Sequence, residues 1–393
     1  MQTQILPEFL NTPTGREADA ILRTCVHCGF CTATCPTYQL LGDELDGPRG
    51  RIYQIKQVLE GHTPTRITQQ HLDRCLTCRS CETTCPSGVR YARLVDIGRH
   101  LVDERVARPT GERLLRAALV RVLPVPARVA PLVRLARLFR PLLPAALAAK
   151  VPGSRPAGLW PAPQGRRRVL VLAGCVQSAV TPLTNAAAAR VFDRLGVDLV
   201  ANPQAGCCGA VAYHLNAPGE GLDAMRRNID AWWPEVEAGC EAILVTASAC
   251  ASMVKDYGEL LADDPAYAGR AARIAALARD PAEWLAAVDL GPLGVPGRDR
   301  RIAFHAPCTL QHGQQIKGVV EGILTRLGFT LTAVPDGHLC CGSAGTYSLT
   351  QPDLSMQLRA NKVAALESGA PELIATANIG CQLHLEAGSQ VPV

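Results

Sequence analysis

The sequence predicts an α+β multidomain chain: a helical, cysteine-bearing unit followed by two α/β repeats that are also rich in cysteine. Three observations carry this prediction. Two cysteine runs of identical spacing lie 50 residues apart, with helical apolar periods between them and after the second. Beyond residue 165 the chain resembles itself at an offset of 133 residues. Within each copy, short β-branched runs alternate with helical periods, the pattern of a mainly parallel sheet.

The first unit spans 17–106. Its runs are Cys25-x2-Cys28-x2-Cys31-x3-Cys35-Pro36 and Cys75-x2-Cys78-x2-Cys81-x3-Cys85-Pro86. Each matches the bacterial iron–sulfur spacing position for position. Three thiolates spaced by two residues wrap three corners of a cubane from one tight loop, while the fourth reaches towards the other cluster. The pair therefore predicts two crossed ligand sets for two [4Fe–4S] clusters. Cys25, Cys28, Cys31 and Cys85 form one set, and Cys35, Cys75, Cys78 and Cys81 the other. Zinc sites or merely structural thiols do not account for the same spacing occurring twice. Between the runs, Ile52, Ile55, Val58 and Leu59 follow a helical period, as do Leu94, Ile97, Leu101 and Val102 after them. A helical ferredoxin-type domain is expected.

Residues 107–165 form a connecting segment of another character. Arginines at 108, 113, 116, 121, 128, 134, 137 and 140 alternate with Leu, Val and Ala, and Glu112 is the sole acid between Arg108 and Lys150. Such a segment suits short helices whose arginines snorkel outwards over neighbouring domains. It equally suits a basic amphipathic surface for an anionic membrane or an acidic partner. Prolines at 124, 126, 131, 141 and 144 exclude one long helix.

The repeats are expected at 166–290 and 299–393. Strands are predicted from 166, at 197–201 and 242–246, then from 299, at 330–334 and 372–376. Helices are predicted at 185–195 and 222–233, then at 316–327 and 354–366. Each copy carries four cysteines at matching places: Cys175, Cys207, Cys208 and Cys250 in the first, and Cys308, Cys340, Cys341 and Cys381 in the second. Buried apolar thiols could fill such places, but not the same four twice, so a metal or redox role is favoured. At least one repeat is expected to hold a further iron–sulfur cluster. His305 and His338 flank the second set as ligand, proton carrier or donor to sulfur, or as ordinary polar histidines. Cys240 has no counterpart and is expected in the core. Gly342-Ser-Ala-Gly345 lacks the dinucleotide-binding context, and no P-loop, nucleophile elbow or HExxH motif occurs.

Composition narrows the class. The 393 residues include 17 cysteines and carry a net charge of +5. The N-terminus lacks a basic, then apolar, export signal, so a reducing, cytoplasmic setting is expected, in which clustered thiols read as metal ligands. No apolar run is long enough to span a bilayer, leaving peripheral contact with the inner membrane as the expected association. Nothing calls for nucleic acid. Iron–sulfur groups carry single electrons, whereas oxidation of an organic hydroxyl needs a two-electron cofactor. With no flavin or nicotinamide site evident, the flavin (FAD) is expected on a partner subunit, and this chain contributes no catalytic residue.

Four strings carry a resemblance: Cys25-Val-His-Cys-Gly-Phe-Cys-Thr-Ala-Thr-Cys-Pro-Thr-Tyr38, Leu41-Gly-Asp-Glu-Leu-Asp-Gly-Pro-Arg-Gly-Arg-Ile-Tyr53, Cys340-Cys-Gly-Ser-Ala-Gly-Thr-Tyr347 and Thr376-Ala-Asn-Ile-Gly-Cys381. With the paired Cys-Cys-Gly repeats, they closely resemble the iron–sulfur subunits of bacterial glycolate oxidases, over nearly the whole chain. The resemblance implies an electron-transfer subunit working with flavoprotein subunits on glycolate and passing electrons to a quinone-type membrane acceptor. Iron–sulfur subunits of D-lactate or glycerol-3-phosphate dehydrogenases share the layout, and a non-catalytic scaffold or sensor is the rival from another class. Some relatives end each repeat in Cys-x-x-Cys, whereas positions 247 and 378 here are Ala and Asn. A five-thiolate cluster is thus not expected. Relatives often continue beyond the 12 residues that follow Cys381 here, so a weakened last repeat is expected.

Overall fold

The computed structural model describes residues 1–144, 148 and 151–393, so the end of the basic run, including Lys150, lies outside the described residues. The N-terminal unit is helical throughout. Its helices start where local chemistry supplies the missing backbone partners. Thr12 accepts from Gly15 N–H ahead of the helix Pro13–Thr24, and a Thr65/Thr68 capping box opens Arg66–Asp73. Proline stands at the start of Pro36–Leu41 and of Pro48–Leu59. The predicted helices are found as Pro48–Leu59 and Tyr91–Arg105. They cross closely because Gly98 faces Ile55, where any Cβ would come within 2.5 Å of Ile55 Cγ1. Their shared core includes Leu22, Ile55, Leu59, Leu94 and Val95.

Among its described residues, the connecting segment forms the α-helices Thr110–Val122 and Pro126–Phe139 and a short 3-10 turn at Arg140–Leu142. The break falls at 123–125, whereas Pro131 sits inside the second helix. Three arginines turn inwards: Arg108 pairs with Asp73 at 2.5 Å and with Asp103 at 2.6 Å, Arg116 reaches Asp73 at 3.1 Å, and Arg137 donates to Pro152 C=O at 2.9 Å. Arg113, Arg121, Arg128, Arg134 and Arg140 are exposed. So are Leu114, Leu132, Leu135, Leu138, Phe139 and Leu142. Among the described residues no helix is long and apolar enough to cross a membrane.

Each repeat is built on parallel strands. In the first, β1 (Arg167–Val171), β2 (Val197–Ala201), β3 (Ile243–Leu244) and β4 (Ala278–Arg279) lie in the order β2-β1-β3-β4. In the second, β5 (Arg301–His305), β6 (Thr330–Leu331) and β7 (Leu373–Thr376) lie in the order β6-β5-β7. The same strand–helix alternation was expected. The short β4 was not, since two residues carry no period. The strand expected over 330–334 keeps only its first two residues. The helix expected over 316–327 runs from Val319 to Arg326, behind a left-handed Gly318.

Two features complete the arrangement. The repeats interlock through Ser248, whose N–H donates to Ala377 C=O at 3.0 Å and whose hydroxyl pairs with Thr309 at 2.8 Å. The C-terminal tail lies along β7, with Ile374 N–H donating to Pro392 C=O at 2.8 Å, so the last strand has its edge covered.

Trp232 is the largest fully buried side chain and centres the core of the first repeat. Its indole N–H is buried with no hydrogen-bond partner. Replacing Trp232 with Ala is expected to cost about 3–5 kcal/mol in denaturant unfolding. Trp232→Phe, which keeps a ring and removes the unpaired donor, is expected to cost much less.

Candidate metal centres

Both ferredoxin-type loops take up the same unusual backbone. His27 and Gly29 have φ of 61° and 87°, and at the matching places Thr77 and Arg79 have φ of 52° and 60°. Three of these four residues are not glycine, so each loop holds left-handed strain at places set by the motif rather than by residue type. Such turns aim successive N–H groups inwards, where anionic sulfur can accept them. Thr77 N–H lies 3.4 Å from Cys75 Sγ.

The fold brings the cysteines together in crossed sets. Cys85 joins Cys25, Cys28 and Cys31 around a small cavity that Cys81 of the other set also lines. Burial pushes the Cys31 thiol up to about 11, with Cys25, Cys85 and Cys28 all near enough to add to it. Cys35, Cys75, Cys78 and Cys81 form the second group, and burial pushes Cys78 and Cys81 far up, with the other sulfurs adding. Thiols pressed together in this way become thiolates when a cation is among them. The donor set and the loop geometry both fit an iron–sulfur group. The first set lies near the surface, where Cys28, Val26 and Phe30 are exposed. The second is deep.

Buried cations surround the second set. Arg51 donates to His71 C=O at 2.7 Å and to Thr37 Oγ1 at 3.2 Å, and lies close enough to Cys35 and Cys75 to feel their charge. Arg99 donates to the C=O groups of Leu72 and Cys75 and to Thr77 Oγ1. Asp46, fully buried, accepts from Arg74 at 2.7 Å, from Arg51 at 3.4 Å and pairs with His71 at 3.0 Å. Helical periodicity marked position 51 only as polar, so its burial had no signal in the sequence.

In the repeats, all eight cysteines lie in the loops or first helical turns that follow parallel strands, the side where such sheets place their functional groups. Within each repeat the four sulfurs form a contiguous run. In the first, Cys207 bridges Cys175 and Cys208, and Cys208 meets Cys250. Hydrogen bonds from Cys175 and Cys208 hold the Cys207 thiol down, and the same contact pushes Cys175 up. In the second, Cys308 Sγ lies 3.8 Å from Cys340 Sγ, and Cys341 meets both Cys340 and Cys381. The first set lines one wall of a cleft of about 400 Å³ whose other wall includes Leu349, Asn378 and Leu383 of the second repeat. Cys240 is buried, donating to Ala242 C=O at 3.0 Å, away from both runs.

The second set of the helical unit abuts the second repeat. Cys78 packs with Cys308 and Cys340 in one apolar cluster containing Leu76 and Tyr347. Tyr347 donates to Arg74 C=O at 3.1 Å, and Thr83 pairs with His312 Nδ1 at 2.8 Å. The two flanking histidines differ. His305 is buried beside Cys341 and Cys381, and burial pushes its imidazole down to about 3. His338 is only half-buried and contributes its C=O, which faces His312 Nε2 at 2.9 Å. Sequence reasoning missed His312, and also Lys362, buried near Cys340 and Cys341 and donating to Asp336 C=O at 2.7 Å.

Comparison with known proteins agrees with this arrangement. A 4Fe–4S dicluster domain matches residues 21–89, and a cysteine-rich domain matches twice, at 169–255 and 302–386. Iron–sulfur binding accords with both. The chain is 59% identical to the glycolate oxidase iron–sulfur subunit of Escherichia coli, over all of this chain and 97% of the relative. It is 29% identical to a probable glycolate oxidase iron–sulfur subunit of Bacillus subtilis, over 93% of this chain and 89% of the relative. Lactate utilization protein A of Bacillus licheniformis is 28% identical over 51% of this chain and 82% of its own length.

The glycine after each vicinal pair is demanded by space as well as by φ. Gly209 and Gly342 have φ of 93° and 88°, and a Cβ there would meet Gly221 C=O at 2.7 Å or Ser355 C=O at 2.6 Å. Gly345 also has positive φ but nothing nearby. Gly342→Ala is therefore expected to destabilise the protein more than Gly345→Ala, which should cost only the conformational penalty of about 1–2 kcal/mol. Thermal melting of the two variants measures the difference.

Proposed function

Because the chain belongs to the glycolate oxidase iron–sulfur subunit family, we propose that it is the electron-transfer subunit of a glycolate-oxidising complex. Glycolate is oxidised to glyoxylate at a flavin (FAD) on a partner flavoprotein subunit, and the electrons leave towards a quinone-type acceptor. Two [4Fe–4S] clusters, and at least one more cluster in the repeats, supply one-electron carriers that divide the flavin's electron pair. Cys25, Cys28, Cys31 and Cys85 hold one cubane, and Cys35, Cys75, Cys78 and Cys81 the other.

The observation that carries this reading is the continuity of sulfur sites through the fold. An exposed set at Cys28 is followed by a buried set, and that set touches the cysteines of the second repeat through Cys78. The chain's own residues bind, insulate and tune. The two loops present N–H groups, the core excludes water, and Arg51 and Arg99 place positive charge beside the deeper set. No arrangement for binding a hydroxyacid is needed on this chain.

Anaerobically purified protein is expected to contain about eight irons bound by the N-terminal unit. Cys28→Ser should lower that count and block electron flow from glycolate to an acceptor placed after the clusters, leaving flavin reduction intact. Full activity of Cys28→Ser with such an acceptor would refute the ligand assignment. Rapid turnover of D-lactate or glycerol-3-phosphate by the purified complex, with none of glycolate, would refute the substrate.

We further propose that the helices of the connecting segment seat the complex on the cytoplasmic membrane face. Their exposed leucines interleave with exposed arginines, the composition of an interfacial amphipathic surface. Each arginine near an anionic surface contributes on the order of 1 kcal/mol, which salt screens. Washing membranes in high salt is expected to release the complex, and Arg134→Glu with Arg140→Glu should release it at lower salt. Retention of both forms through the wash would contradict a charge-dependent seat.

A further inference from the structure

The two repeats match in their cysteines but not in the residue at the C-terminal end of the central strand, the last of β5 in one and the first beyond β1 in the other. At the offset of 133, Leu172 of the first repeat corresponds to His305 of the second. Leu172 is buried in the apolar core of its repeat. His305 is equally buried, 2% exposed, yet it is polar and only half satisfied. Its Nδ1 is engaged by Thr376 Oγ1 at 2.9 Å, at the end of the neighbouring strand. Its Nε2 is buried with no hydrogen-bond partner at all. An unpaired buried ring nitrogen is costly, and unlike the unpaired indole N–H of Trp232 it belongs to a ring that stands with two cysteines.

The surroundings indicate what that nitrogen is for. A ring nitrogen of His305, Cys341 Sγ and Cys381 Sγ all lie within 4.8 Å of one another, the spacing of groups converging on one metal. The Thr376 bond fixes the ring and reserves Nδ1, the arrangement by which a metal-binding imidazole is oriented from behind. Asn378 stands where some relatives carry another cysteine, and its amide donates to Cys381 Sγ at 3.4 Å instead of supplying a sulfur. The first repeat has Ala247 at that place and leucine at the other, so it offers four sulfurs and nothing more.

We propose that His305 Nε2 is an iron ligand, and that the second repeat binds an iron–sulfur cluster of mixed cysteine and histidine ligation at Cys341 and Cys381. This rests on the reading that the repeats hold a further cluster, and it names which repeat and which non-cysteine donor. Replacing a thiolate by a neutral imidazole removes negative charge from the iron and raises its reduction potential. The cluster would then accept electrons from the set at Cys78, which lies against Cys308 and Cys340.

The test uses the full chain, reconstituted anaerobically with iron and sulfide, and reads nitrogen hyperfine couplings by pulsed electron paramagnetic resonance. With ¹⁵N-histidine labelling, the wild-type protein is expected to show one strongly coupled histidine nitrogen that vanishes in His305→Leu and persists in His338→Leu. His305→Cys is expected to keep the iron, lose the nitrogen coupling and lower that cluster's potential. Absence of a strongly coupled histidine nitrogen in the labelled wild type overturns the proposal even if His305→Leu fails to fold, as does a coupling unchanged in His305→Leu. Cys341→Ala separates the two levels of inference. Iron lost from Cys341→Ala without a histidine coupling in the wild type leaves the extra cluster standing and removes the ligand. Iron that stays at the N-terminal complement, unaffected by Cys341→Ala, removes both.

Discussion

The constraint on which this structure turns is that sulfur destined to carry negative charge is kept away from water. Sixteen of the 17 cysteines fall into four groups, and most are buried. A buried thiol resists ionisation, and a buried anion without a counter-charge is costly. The protein meets this with cations placed where globular proteins rarely put them. Arg51, Arg99 and Lys362 are all buried; Arg99 and Lys362 are held largely by backbone carbonyls, whereas Arg51 divides its bonds among His71 C=O, Thr37 Oγ1 and the Asp46 carboxylate. Their charge therefore remains available to the neighbouring sulfur. Asp46 is the exception, and it gathers Arg51, Arg74 and His71 into one knot that positions the guanidinium groups.

The same constraint explains how the parts join. The deeper sulfur set is insulated by the second repeat as well as by its own helices, because Leu76 and Cys78 complete an apolar cluster with Tyr347, Leu354 and Leu358. Hydrogen bonds from Tyr347 and Thr83 close that seam. The first repeat meets the helical unit through charge instead, with Arg79 on Asp256 and Arg93 on Tyr213, both at 2.5 Å. Two repeats of one ancestry thus have unlike neighbours, and their residues have diverged to suit.

Much of this was legible in the sequence because ligand spacing and sheet period are local properties. Iron–sulfur binding could be read from the cysteine spacing, and strand and helix alternation followed the β-branched runs. What escaped was what depends on distant contact. Arg51 and Arg99 form no part of the helical periods read from the sequence, and their burial depends on distant residues packed over them. His305 and His338 looked alike beside their cysteines, and only the fold separates a buried, half-satisfied ring from one that lends its backbone. The two-residue β4 was too short to leave a period. The end of β6 dissolved into a loop that carries the chain to Cys340.

The crossed ligand sets proposed above would also order events during synthesis. Read from the N-terminus, the group containing Cys35 is complete when residue 81 has been made, and the group containing Cys25 only at residue 85. A nascent chain therefore offers no complete four-sulfur site for most of the time its first 80 residues exist, and then gains two almost at once. Three sulfurs of an early loop exposed without their fourth are open to oxidation and to the wrong metal. On those proposed sets, iron could be taken up only once the second loop has been made, with the helices Pro48–Leu59 and Arg66–Asp73 lying between the two runs.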